Sequence, residues 1–224
     1  MKPWLILDAY LDNDGSENFL PHFAGRPVRT LRPTSALPPL DPTAFRGVVI
    51  TGSAAGVNDR RPWVQRTVAF TRRALQRQVP VLGVCFGHQV LAEAVAGPGA
   101  IRRAPLPEVG WFRIHRRPTP ILDGFPSHFR TFLSHFDEVR PEVRPHLDVL
   151  ASSERCPIQA FSVPGRPAWG VQFHAEMGSV ETREIVRRHV GSKVPGDPER
   201  VLVGAVDSAP LIAKLIANFI RLAR

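Results

Sequence analysis

Cysteine is scarce in this 224-residue chain: Cys85 and Cys156 are the only two. That excludes a disulfide framework, and two cysteines without zinc-site spacing point to reduced thiols, with no metal and no cofactor expected. Long apolar runs are missing as well. Nothing approaches the eighteen or so apolar residues of a membrane span, so no membrane is expected as a partner. Met1-Lys2-Pro3-Trp4 leads directly into a strand-like run without a signal peptide's apolar region, and a cytoplasmic protein is expected. Lysine is nearly absent: of 29 basic residues only Lys2, Lys193 and Lys214 are lysines, and the arginines are scattered in ones and twos. The net charge of +9 would favour nucleic acid if the charges formed a stripe. Groups such as Arg102-Arg103 or Arg183 with Arg187-Arg188 read instead as solvated faces, and no RNA-binding aromatic signature accompanies them. There is no internal repeat and no low-complexity tract.

What is present suits one large α/β domain over residues 1–224, with an ordinary 43% hydrophobic content. Trp4 to Leu7 reads as a first buried strand, followed by a polar turn at Asp12-Asn13-Asp14-Gly15. Ser16 is placed to cap a short helix through Phe23. Pro27 to Leu31 reads as a second strand, ahead of a proline-broken loop from Pro33 to Pro42. Gly47 to Thr51 reads as a third strand and runs into the small-residue loop Gly52-Ser53-Ala54-Ala55-Gly56. Such a loop at the carboxyl end of a parallel strand can bring backbone amides close to a ligand, although taken alone it is better read as a plain tight turn. Pro62 to Gln78 repeats its apolar residues with helical period, so strand, helix and the next strand form a βαβ unit.

That next strand, Pro80 to Val84, ends in Gly83-Val84-Cys85-Phe86-Gly87. This is the cysteine form of the Gly-x-nucleophile-x-Gly elbow, in which two glycines let backbone cross closely behind a strained nucleophile. A helix is expected from near His88 to Val95. The helix N-terminus favours a thiolate at Cys85, and the Phe86 amide points where an oxyanion would form. The competing reading is a small core residue, since free cysteine is among the most buried types. From Ile101 to Ala168 short runs broken by prolines (Gly110 to His115, Phe129 to Leu133, Asp148 to Ser152, Ile158 to Ser162) suggest antiparallel strands. Trp169 to Phe173 is a further strand. A helix around Val180 to Val190 and an amphipathic one from about Ser208 to Leu222 complete the chain.

A thiol at an elbow needs a base and a group to orient that base. His174 lies just past the Trp169 strand, and Glu176, two residues on, falls on the same side of an extended segment. By itself the pair is a weak signal, and a solvated loop is the better reading of it. His88 reads as a packing or capping residue of the elbow helix.

Val-Leu-Gly-Val-Cys-Phe-Gly-His-Gln, followed some 85 residues later by Gly-Val-Gln-Phe-His-Ala-Glu, closely resembles the class I, triad-type glutamine amidotransferases over roughly Val48 to Glu176, and within them the amidotransferase half of GMP synthetase. The resemblance implies a Cys85, His174, Glu176 triad that hydrolyses the γ-amide of glutamine through a glutamyl thioester. It implies oxyanion donors at Phe86 and at Gly52-Ser53, and a substrate contact at Gln89. It also implies a backbone contact to the substrate's amino-acid end from Ser134, His135 and Phe136. Two positions depart from the family pattern: Ala175 stands for a proline, and Ser53 for a glycine whose amide is retained. The implied fold is α/β and flavodoxin-like, a largely parallel twisted sheet with helices on both faces, extended by antiparallel strands. The substrate expected is glutamine or another γ-glutamyl small molecule. Only two helices' worth of sequence follow Glu176, so the ammonia is expected to pass to a separate synthetase subunit. The alternatives are a γ-glutamyl peptidase or hydrolase acting on a larger amide, and an idle binding or regulatory protein of the same fold.

Overall fold

The computed structural model describes residues 1–11, 14–35 and 39–223. Part of the expected Asp12 to Gly15 turn and the centre of the expected Pro33 to Pro42 loop lie outside them. Nine strands form one sheet: β1 (Trp4–Leu7), β2 (Val28–Leu31), β3 (Val48–Ile50), β4 (Val81–Val84), β5 (Ile101–Arg116), β6 (His128–Val139), β7 (Asp148–Ser152), β8 (Ala160–Ser162) and β9 (Ala168–Val171). Their order is β2-β1-β3-β4-β9-β8-β7-β5-β6. The first five in that order pair in parallel, and the remaining pairings are antiparallel.

Alternation along the parallel strands decides which helices cover which face. Leu5, Leu7, Val48, Ile50 and Val81 point to one side. There they bury against α1 (Pro62–Gln76) and α2 (Phe86–Ala96). Trp4, Ile6, Val49, Leu82 and Val84 point to the other side and pack on α5 (Ala209–Leu222) through Ile212, Leu215, Ile216 and Phe219. A third, smaller core joins Val109, Trp111 and Phe132 to Val186 of α3 (Ser179–His189) and Leu202 of α4 (Pro198–Val203). The expected α/β sheet with helices on both faces is therefore present.

Differences from the sequence reading have local causes. The expected helix from Ser16 is two 3₁₀ turns, Gly15–Asn18 and Leu20–Phe23. Pro21 lacks the amide a continuous helix would need, and Asp14 rather than Ser16 supplies the cap. The elbow helix starts at Phe86, two residues before its expected start. β5 runs through Pro105 and Pro107 because both fall within a register shift between Arg103 and Glu108, where ladder bonds are already interrupted. Among the described residues three helices follow Glu176 rather than two; α4 is too short to show a period.

β6, the last strand in the sheet order, also meets the segment that follows β9. His174 forms an isolated bridge with Phe132 of β6, its amide donating to the Phe132 carbonyl at 2.8 Å. The middle of β6 thus lies beside the end of β9, with the Ser134 carbonyl near Cys85 at the end of β4.

Candidate active site

Cys85 sits between β4 and α2 with φ 51° and ψ −101°, a conformation rare for any residue with a side chain. The backbone around it makes that conformation hard to escape. The Cys85 amide donates to Val171 O at 2.8 Å and the Gly87 amide to Thr51 O at 3.1 Å. A Cβ on Gly83 would stand 2.3 Å from the Gly87 carbonyl oxygen, and one on Gly87 would stand 2.2 Å from the Ile50 carbonyl oxygen. Both glycines are required because main chain, not a movable side chain, fills the space. The Phe86 amide is the first of α2 and has no acceptor within its own helix.

His174 and Glu176 meet Cys85 from the end of β9. His174 Nδ1 lies 2.7 Å from Glu176 Oε1, which leaves Nε2 as the ring nitrogen for the Cys85 sulfur. Burial pulls the imidazole's pKa down, but the Cys85 sulfur and the Glu176 carboxylate outweigh it and hold it well above 6.5. The Thr131 hydroxyl donates to the His174 carbonyl at 3.0 Å. A Cβ on Gly52 would stand 2.9 Å from His174 Cε1, so a side chain there would press on the imidazole.

A cleft of about 670 Å³ opens over Cys85. Ser53, Phe86, Gln89, Ser134, His135 and Phe136 all line it; Gly52 is not on its wall. The Ser53 hydroxyl accepts from the Ala55 amide at 3.1 Å, shaping the loop. The Ser134 carbonyl is 3.9 Å from Cys85 Sγ. Gln89 turns its amide nitrogen inward, donating to Asp137 O at 3.0 Å and to Gln172 Oε1 at 3.1 Å. The His135 ring is buried, whereas Phe136 is half-buried and flanked by the Arg103 guanidinium at 5.0 Å.

Sequence reasoning missed one group that lines the cleft and one buried behind it. Tyr10 donates its hydroxyl to Glu176 Oε1 at 3.3 Å and lines the cleft. Burial, followed by the Glu176 charge, pushes its phenol well above 10. Its signal was position alone: it lies just beyond the carboxyl end of β1, where ligand sites of parallel sheets gather. The second is Glu108, which falls between the proline-rich bulge and Gly110 and carries no periodic signal. His88 is buried on the Phe161 ring, 4.7 Å between centroids, and neither ring nitrogen has a hydrogen-bond partner of normal geometry, although the Gly170 and Ile158 backbone passes close by. Burial lowers its pKa to about 3. Cys156 is buried away from the cleft, its thiol pushed up to about 12 by burial and donating to Ile158 O at 3.7 Å.

A family model described as glutamine amidotransferase class-I matches residues 25–190. The chain belongs to that family. It is 32% identical over 146 residues to a glutamine-hydrolyzing GMP synthase subunit of Methanococcus vannielii, covering 65% of this chain and 71% of that one. It is 38% identical over 112 residues to the protein of the same name from Pyrococcus abyssi, covering 50% and 58%. Among solved structures, a glutamine amidotransferase from Methylobacillus flagellatus superposes with a TM-score of 0.82 at 24% identity, over 99% of this amidotransferase chain and 95% of that one. One from Thermotoga maritima gives 0.80 at 20% identity, over 100% and 99%. These likenesses are of fold. Among the described residues no helix is long and apolar enough to cross a membrane.

Proposed function

We propose that this amidotransferase hydrolyses the γ-amide of glutamine with Cys85 as nucleophile, His174 as acid and base, and Glu176 as the group that orients His174. The reading rests on one observation above the others: a cysteine held at positive φ on a strand-to-helix elbow, sharing a cleft with an imidazole whose Nδ1 is 2.7 Å from a buried carboxylate. Cys85 gives its proton to His174 Nε2, and Sγ attacks the γ-carbonyl carbon. A C–S bond forms as the carbonyl pair moves onto oxygen. The Phe86 amide and the Gly52-Ser53 loop receive that oxyanion, each donor contributing about 3 kcal/mol to lowering the barrier. The oxyanion then collapses, the C–N bond breaks, and His174 Nε2 delivers its proton to the departing nitrogen as ammonia forms. Water attacks the thioester, His174 takes its proton and returns it to sulfur, and glutamate leaves.

Gln89 and the Ser134 to Phe136 segment hold the amino-acid end of the substrate. The relatives are named as one subunit of a glutamine-hydrolyzing GMP synthase, which supports delivery of the ammonia to a separate synthetase subunit. Ammonia release from glutamine, measured alone and with a set of larger γ-glutamyl amides, tests the substrate. Glutamine turnover that disappears in Cys85→Ala is the expected result. Turnover of the larger amides only would replace glutamine with a γ-glutamyl hydrolase substrate.

A further inference from the structure

Under the long β5–β6 hairpin lies a buried ionisable cluster that the chemistry above does not use. Glu108 is fully buried on β5 opposite His135 of β6. Its Oε2 accepts from His135 Nε2 at 2.9 Å and from Gln159 Nε2 at 2.6 Å, and its Oε1 accepts from the Ser153 hydroxyl at 2.7 Å. Glu108, His135 and Cys156 each offer a ligand atom within 4.8 Å of the others, a spacing that would admit a metal ion. Their chemistry does not favour one. The carboxylate already has three donors, both ring nitrogens are engaged, and burial keeps the thiol protonated.

The hydrogen bonds run toward the cleft instead. His135 Nδ1 lies 3.0 Å from the Asp137 carbonyl oxygen, and the same oxygen accepts from Gln89 Nε2 at 3.0 Å. With its second amide hydrogen on Gln172 Oε1, Gln89 is left with its carbonyl oxygen as the free end. Ser134, whose carbonyl faces Cys85, lies one residue from the anchored ring.

We propose that Glu108 is a positioning residue for glutamine binding: through His135 and the Asp137 carbonyl it fixes the Ser134 to Asp137 segment and the orientation of the Gln89 amide. This rests on the assignment of those residues to the substrate's amino-acid end. A buried carboxylate suits the task because charge-assisted hydrogen bonds from three directions fix one geometry where neutral partners would tolerate several. Glu108 has no contact with Cys85, His174 or Glu176 among its hydrogen bonds, so its loss should spare the nucleophile's own reactivity.

The test compares two alkylating agents on Glu108→Gln, which keeps the shape and removes the charge. A diazo-oxo-norleucine glutamine analogue needs the glutamine pocket to reach Cys85; iodoacetamide does not. Labelling by the analogue should slow about tenfold, and KM for glutamine should rise by a similar factor, while the iodoacetamide rate and kcat stay within about twofold. Ser153→Ala removes one donor and should move the same ratio by about threefold, which keeps the test open if Glu108→Gln does not fold. Equal slowing of both reagents, or an unchanged ratio in a folded variant, overturns the positioning role. Failure of the analogue to label Cys85 in the wild type would instead overturn the glutamine reading on which it rests.

Discussion

Cys85 carries its backbone at φ 51° and ψ −101° while remaining only 5% exposed, and this allows its strain to be separated from its chemistry. Replacing it by alanine removes the thiol but keeps a Cβ in the unfavourable conformation. Replacing it by glycine removes both. Relief of the conformation is worth about 1–3 kcal/mol. Against that, glycine adds about 0.5–1 kcal/mol of unfolded-state entropy, and loss of the buried methyl costs about 0.8 kcal/mol. At mid-range the glycine variant comes out about 0.5 kcal/mol more stable than the alanine variant. At an unstrained buried position it would be about 1.5 kcal/mol less stable. For a chain of this length 1 kcal/mol moves Tm by about 2 °C. Calorimetry should therefore find Cys85→Gly melting about 1 °C above Cys85→Ala, with neither releasing ammonia from glutamine. A glycine variant melting about 3 °C below the alanine variant would mean that the elbow stores no strain.

Three further perturbations bear on the surroundings. Tyr10→Phe removes a hydrogen bond to the carboxylate oxygen that also holds His174, so kcat should fall about tenfold while Tm falls by about 3–6 °C; an unaltered kcat would remove Tyr10 from the site. His88, with its pKa depressed from 6.5 to about 3, resists protonation in the folded state, so its contribution to stability is complete above 6.5 and is lost as pH falls toward 3. Between about pH 6.5 and 4 the loss should reach on the order of 3 kcal/mol by denaturant titration. His88→Leu should flatten that slope whatever its stability at neutral pH, and an unchanged slope would place the acid sensitivity elsewhere. Cys156→Ser should keep activity within about twofold, since a buried protonated thiol contributes packing and one weak hydrogen bond; an inactive variant would mean that the nucleophile is misassigned.

The sheet was legible wherever apolar runs were continuous and bounded. β1, β3, β4 and β9 were each recognisable from the run itself, and the elbow from two glycines whose spacing is dictated by main-chain contact. The family followed from two motifs in order. Illegible features were those decided by tertiary contact. Nothing local distinguishes Glu108 from an exposed edge residue; only the pairing of β5 with β6 and the return of the Ser153 to Gln159 segment bury it. Tyr10 similarly gains its meaning from Glu176, 166 residues away in sequence. The prolines at 105 and 107 suggested broken strands because a register shift that absorbs them is invisible without its partner strand.

The most direct measurement is peptide mapping by mass spectrometry after treatment with the glutamine-analogue diazoketone. A single adduct on Cys85, suppressed by excess glutamine, is the predicted result and would place nucleophile and γ-glutamyl pocket together. An adduct on Cys156, or labelling of Cys85 that glutamine does not suppress, would contradict the account.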